Sequence, residues 1–249
     1  MNPDFFVFLQ PEKQTDFMQL FFSENIESGL CTLNEEESHH CVKVLRMATG
    51  DELFATDGRG TMCRCRIVDA HHKACTVEVV ERWDGYGRRP FTLHLAVAPT
   101  KNTARLEWLV EKAVEMGIDR ITPIVCDHSE RHILKKERLD KIAVSAVKQS
   151  LKAYLPTIDP PTPVTELIGS PFDGQRFIAY CDGDHRTPLH SAYSPGGNAL
   201  ILIGPEGDFS PFEVQQALAA GFTPVSLGNS RLRTETAALA AIAFFNLSN

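Results

Sequence analysis

The sequence predicts an α/β protein in which a small all-strand part precedes a larger part built on a mostly parallel sheet. Two observations predict it. Before residue 84, short apolar runs alternate with polar residues and are separated by hairpin-type turns; after residue 90, apolar strand runs alternate with helical patterns, as expected of a parallel sheet covered by helices. Between them lies DGYGRRP (84–90), rich in glycine and charge and without periodicity, which reads as a linker. The expected division is residues 1–83 and 90–249.

In the first part, FFVFL (5–9) reads as a strand, and Ser38 to Met47 as a short helix. DELFATD, TMCRCRIVD and ACTVEVVER read as strands, with turns at Asp57-Gly58-Arg59-Gly60 and His71-His72-Lys73. Together these predict a small β-barrel. In the second part, FTLHLAVAP is a strand ending at Lys101. A helix over 104–116 places Leu106, Leu109, Val110 and Ala113 on one face and stops at Gly117. The strand ITPIVC and a helix over 135–151 follow, then the strands RFIAYC and ALILIG.

Composition excludes several classes. No apolar run approaches a bilayer-spanning length, and the N-terminus has no basic stretch ahead of its short apolar run, so the expectation is a cytoplasmic protein without a membrane span. The seven cysteines lack paired CxxC spacing, which predicts buried free thiols and neither zinc nor disulfides. A formal charge of −7 argues against bulk attraction to nucleic acid. A local basic strip nevertheless runs over 128–152, with seven Lys or Arg against three acids; it suits either a phosphate contact or a solvated helix face.

The chemistry concentrates near the C-terminus. The apolar run 199–203 breaks into Gly204-Pro205-Glu206-Gly207-Asp208-Phe209, and Ser210, Pro211 and Glu213 carry the spacing of a capped helix start. A second loop, Gly228 to Arg233, follows the short strand Pro224 to Leu227 and leads into ETAALAAIAFF, with Thr234 expected as the cap. Ligands bind beyond the carboxyl ends of parallel strands, so the two loops are expected to wall one pocket, with Arg231 and Arg233 available to an anion. Neither loop carries the Lys-Ser/Thr of a P-loop, and no GxGxxG follows a strand, which excludes the common ATP and NAD cradles.

LIGPEGDFSPFE followed by SLGNSRLRTETAALAAIA resembles the C-terminal signature of the RsmE-type 16S ribosomal RNA uridine-N3 methyltransferases. HHCVKVLRMATGDEL, LVEKAVEMGIDRITPIVCDHSER and AVKQSLKAYLP occur in the order that family shows, so the resemblance spans nearly the whole chain. Two departures stand out: Asp208 where the family commonly has glycine, and Lys148 with Leu151 to Tyr154 in place of an acidic, Gly/Arg-containing stretch.

The resemblance implies an N-terminal PUA-like RNA-binding barrel and a C-terminal SPOUT domain with a trefoil knot. It also implies S-adenosylmethionine as donor, the 16S rRNA of the small subunit (decoding region) as substrate, and a homodimer. Donor contacts are expected from Leu202, Ile203, Gly204, Pro205, Glu206, Gly207, Leu227, Gly228, Asn229, Leu232 and Arg233. A side chain at Gly204 is expected to fill the pocket. Uracil N3 must lose a proton while charge spreads onto O2 and O4; Glu235 and Glu206 are the candidate bases, and Arg233 the candidate oxyanion partner. No metal is needed. RNA contacts are expected from Lys43 and Arg46 on the barrel, and from Lys101, Arg105, Arg131, Lys148 and Gln149 on the catalytic part. The competing readings are a ribosome-assembly factor that binds RNA without catalysis, and a SPOUT methyltransferase for another RNA.

Overall fold

The computed structural model describes residues 19–26, 29–131, 134–180 and 187–249. The strand expected at residues 5–9 lies outside them. The chain divides into two compact units, residues 1–57 with 61–84, and residues 58–60 with 85–249.

The first unit is a five-stranded sheet in the order β1 (Leu20–Phe22), β3 (Glu52–Thr56), β4 (Thr61–Asp69), β5 (Thr76–Asp84), β2 (Leu30–Thr32). Alternation builds it: Cys63, Cys65 and Ile67 of β4 point into the core with Leu53 and Val77, while Arg64 and Arg66 stay outside and pair with Glu52. Register shifts after Arg64 and Ile67 bend the β4–β5 ladder. The helix expected from Ser38 begins earlier: α1 (Glu35–His39) is capped by the Asn34 side chain, which accepts from the Glu37 amide, and runs on into a wider π-turn over His40–Val44. The six described cysteines are free and buried, and burial pushes the Cys41 and Cys65 thiols up to about 12.

The second unit holds a parallel sheet in the order β11 (Thr187–Pro188), β13 (Thr223–Ser226), β10 (Gln175–Ala179), β12 (Ala199–Ile203), β6 (Leu93–Val97), β7 (Arg120–Val125), β8 (Thr157–Ile158); β9 (Thr162–Pro163) pairs in parallel with the end of β7, beyond β8. Every residue of β6 and β12 is buried; β12 is accordingly an unbroken apolar run, and β6 is one interrupted only by His94. One face packs against α2 (Thr103–Met116), α3 (Lys136–Gln149) and α7 (Thr234–Ser248), the other against α4 (Val164–Gly169) and α6 (Pro211–Ala219). The one-turn α5 (Leu189–Ala192) follows β11. No helix among the described residues is long and apolar enough to cross a membrane.

One buried polar chain crosses this sheet. Thr122 Oγ1 donates to Asp159, so its single proton is committed, and the His94 Nε2 that lies 2.7 Å from it must be the donor. Burial, with help from the Arg120 charge, pushes His94 down to about 4, below its ordinary 6.5. Protonation therefore favours the unfolded chain: this contribution is complete above about pH 6.5, falls as the pH drops, and is gone near pH 4. Urea unfolding should show a loss of about 3 kcal/mol across that window. His94→Gln keeps a donor without a titrating ring, and should flatten the decline; an equally steep one assigns the acid limb to other groups.

Candidate functional site

Because β13, β10 and β12 are parallel neighbours, the segments that leave their carboxyl ends meet at one edge of the sheet. There they enclose a cavity of about 760 Å³, within the range of small-molecule sites. The loop after β12 contributes Gly204, Pro205, Glu206 and Asp208; the loop after β13 contributes Leu227 through Arg233; and Ala179 with Tyr180 come from the end of β10. Thr234 Oγ1 donates to the Gly204 carbonyl at 3.1 Å and ties the two loops together. That hydroxyl was expected to cap α7. Its bond to the neighbouring loop leaves Arg233 as the N-cap residue, without a side-chain cap bond.

The first loop is held from two sides. At its exit, Ser210 and Glu213 form a complete capping box, with Pro211 in the first turn of α6. Glu213 is 1% exposed, and its second oxygen accepts from the Asp127 amide at 2.8 Å. Ser210 Oγ in turn donates to Asp127 Oδ2 at 2.6 Å. On the other side, His128 Nδ1 stands 3.0 Å from the carbonyl oxygens of both Gly207 and Asp208, so this nitrogen carries a proton and donates to them. The 126–129 turn thus grips the loop at three points. Two glycines make the fit possible: a β-carbon on Gly204 would lie 3.1 Å from the Phe209 ring, and one on Gly207 3.1 Å from His128 Cβ. The Gly204 carbon would meet Phe209 rather than fill the cavity, because position 204 continues the β12 alternation toward the Leu202 face.

The model of the RNA methyltransferase domain matches residues 87–246, and that of the RNA methyltransferase PUA domain matches residues 33–80. The chain belongs to the RNA methyltransferase family. Of its relatives, the probable rRNA-methyltransferase from Porphyromonas gingivalis, a crystal structure, is 45% identical; the match covers 92% of this chain and 98% of that one, with a TM-score of 0.87. The ribosomal RNA small subunit methyltransferase E from Neisseria gonorrhoeae, crystallised with S-adenosyl methionine, is 27% identical over 92% of this chain and 97% of its own, with a TM-score of 0.84. The protein of the same name from Bacillus subtilis is 27% identical over 243 residues, 92% of this chain and 94% of the relative.

In this RNA methyltransferase the cavity gathers nine of the positions expected to touch the donor: Ile203, Gly204, Pro205, Glu206, Leu227, Gly228, Asn229, Leu232 and Arg233. Leu202 and Gly207 do not line it. Leu202 is buried in the core on the far side of β12, and Gly207 turns against His128. The two candidate bases part company as well. Glu206 lines the cavity and accepts from the Lys101 amide at 3.3 Å. Glu235 is buried in the first turn of α7, off the cavity wall, with Oε1 3.7 Å from Arg105 Nε.

The expected RNA contacts fall into three places. Lys101 touches the first loop through its amide on Glu206 and pairs its ammonium with Glu130, Arg131 donates to the Lys101 carbonyl, and Arg105 lies beside Glu235 at the start of α7. Lys148 and Gln149 end α3. Lys43 and Arg46 are exposed on the first unit, Arg46 with φ +58°. Elsewhere on the basic strip, Lys136 and Arg138 are already paired with Asp140 and Glu107.

Proposed function

We propose that this RNA methyltransferase uses S-adenosylmethionine to methylate N3 of a uridine in the decoding region of 16S rRNA, acting as a cytoplasmic homodimer. In this reading residues 1–83 form the RNA-binding barrel, and residues 90–249 a SPOUT domain whose last segment closes a trefoil knot. The observation that carries it is the single cavity walled by both glycine-containing loops and locked by the Thr234–Gly204 bond. The residues present suit the donor: close backbone approach at Gly204, Gly228 and Asn229 for the nucleoside, apolar walls from Ile203, Leu227 and Leu232, and charge of both signs. The names of relatives support the donor and the rRNA class.

When bound, S-adenosylmethionine supplies a methyl group already activated on a sulfonium, so the protein has to align the reactants and exclude water. Glu206, at the cavity wall, takes the N3 proton. Arg233 stabilises the charge that moves onto the uracil oxygens. Glu235, held against Arg105, positions the start of α7 rather than exchanging protons. Lys101, Arg105, Arg131, Lys148 and Gln149 pair with phosphates around the target, and Lys43 and Arg46 add contacts from the barrel.

The test is a deletion strain. Mass-spectrometric mapping of its small-subunit rRNA should reveal one missing methyl on a uridine N3, restored by the purified protein and S-adenosylmethionine. A fully modified rRNA, or calorimetry without binding of S-adenosylmethionine or S-adenosylhomocysteine, overturns the assignment.

A further inference from the structure

Glu206 lines the cavity on an exposed side chain, and among the described residues its carboxylate accepts one hydrogen bond, from the Lys101 amide at 3.3 Å. A base works only where its oxygen is held in line with the proton it takes, and a misplacement of about 1 Å costs about a hundredfold in rate. Whatever fixes the backbone at Lys101 therefore bears on what Glu206 can do. Lys101 is exposed in the segment between β6 and α2. Thr100 before it is buried, and Asn102 after it caps α2 by accepting from the Ala104 amide. Lys101 itself is held from outside the segment, by Arg131 Nη2, which donates to its carbonyl at 3.0 Å.

Three cations lie along this part of the chain, and their partners separate them. The Lys101 ammonium pairs with Glu130, but the two side chains are 75% and 61% exposed, and an ion pair so open to water holds little. Arg105 faces the Glu235 carboxylate at the start of α7. Arg131 alone of the three bonds to the backbone that carries the Lys101 amide, and its Nε is buried, so the guanidinium is seated against the protein rather than extended into solvent. We propose that Arg131 is a positioning residue, which acts through the Lys101 backbone to hold the Glu206 carboxylate at the cavity wall. The inference rests on the reading of Glu206 as the base and names what places it.

Steady-state kinetics on the full chain, with 16S rRNA and S-adenosylmethionine, test it through a double-mutant cycle. Arg131→Met keeps much of the side-chain bulk without the donor or the charge. It should lower kcat at saturating RNA by about 10- to 100-fold, while thermal melts show a folded protein. Arg131→Lys, which can still donate to the carbonyl, should recover most of that loss. Glu206→Gln should lower kcat by about 100-fold or more. Adding Arg131→Met to Glu206→Gln should then cost less than about twofold further, because the group being placed is already gone. A raised KM with unchanged kcat in Arg131→Met leaves Arg131 a phosphate contact alone and overturns the inference, and so do effects that multiply in the double variant. Wild-type kcat in Glu206→Gln overturns the assignment of the base, and the inference with it.

Discussion

Gly204→Val should abolish measurable donor binding, weakening S-adenosylmethionine by about a hundredfold or more, while the protein remains folded. The geometry gives the cause. A β-carbon at 204 lies 3.1 Å from two Phe209 ring carbons and 3.4 Å from the Phe209 amide nitrogen, and valine adds two methyls beyond it. Phe209 cannot retreat, because it is 6% exposed and packed among Leu202, Val214, Ala217 and Phe222. The strain must move the loop instead. That displaces the Gly204 carbonyl from Thr234 and opens the seam between the two loops. Overpacking of this kind costs about 1–3 kcal/mol of stability, a tolerable loss for a domain with this much buried sheet. Gly204→Ala should be milder, since one methyl needs a shift of only a few tenths of an ångström. Calorimetry paired with thermal melts separates the two effects. Wild-type affinity in a folded Gly204→Val protein removes the loop from the donor site.

How much of this arrangement the sequence carries follows from how local each feature is. Ser210, Pro211 and Glu213 lie within four residues, and their pattern alone located the start of α6 and hence the loop before it. The central strands were equally legible, because burial on both faces leaves runs that are apolar throughout in β12 and broken only by His94 in β6. Segments 157–169 and 187–192 were not: two-residue strands next to helices of four to six residues are too short for either periodicity to show. The cavity floor at Ala179 and Tyr180 depends on β10 lying between β12 and β13, which no local signal encodes. The grip of Asp127 and His128 on a loop about eighty residues away is non-local for the same reason. Thr234 shows the converse error. Its side chain has the chemistry of a cap, but a buried carbonyl from another element takes the hydroxyl instead.

Arg233→Ala should separate catalysis from binding. The side chain is exposed, makes no cap bond, and belongs to a residue whose carbonyl already accepts from Ala237 at 2.8 Å, a bond that alanine retains. Truncation should therefore cost no more than about 0.5 kcal/mol of stability. Donor affinity should stay within about threefold, because in the proposed reading position 233 meets the donor through backbone, which the variant keeps. Turnover is another matter. Charge on the uracil oxygens exists only once N3 has begun to lose its proton, so a guanidinium aimed at it acts on the transition state alone; removing one such donor lowers kcat by about 100- to 1,000-fold. Arg233→Lys should recover part of the rate, as a point charge lacks the planar fork that can address one oxygen with two N–H groups. Single-turnover assays with 16S rRNA measure the step directly. A wild-type rate in the alanine variant ends the oxyanion role, and a lost donor affinity with an intact rate at saturation reassigns the guanidinium to the donor's carboxylate.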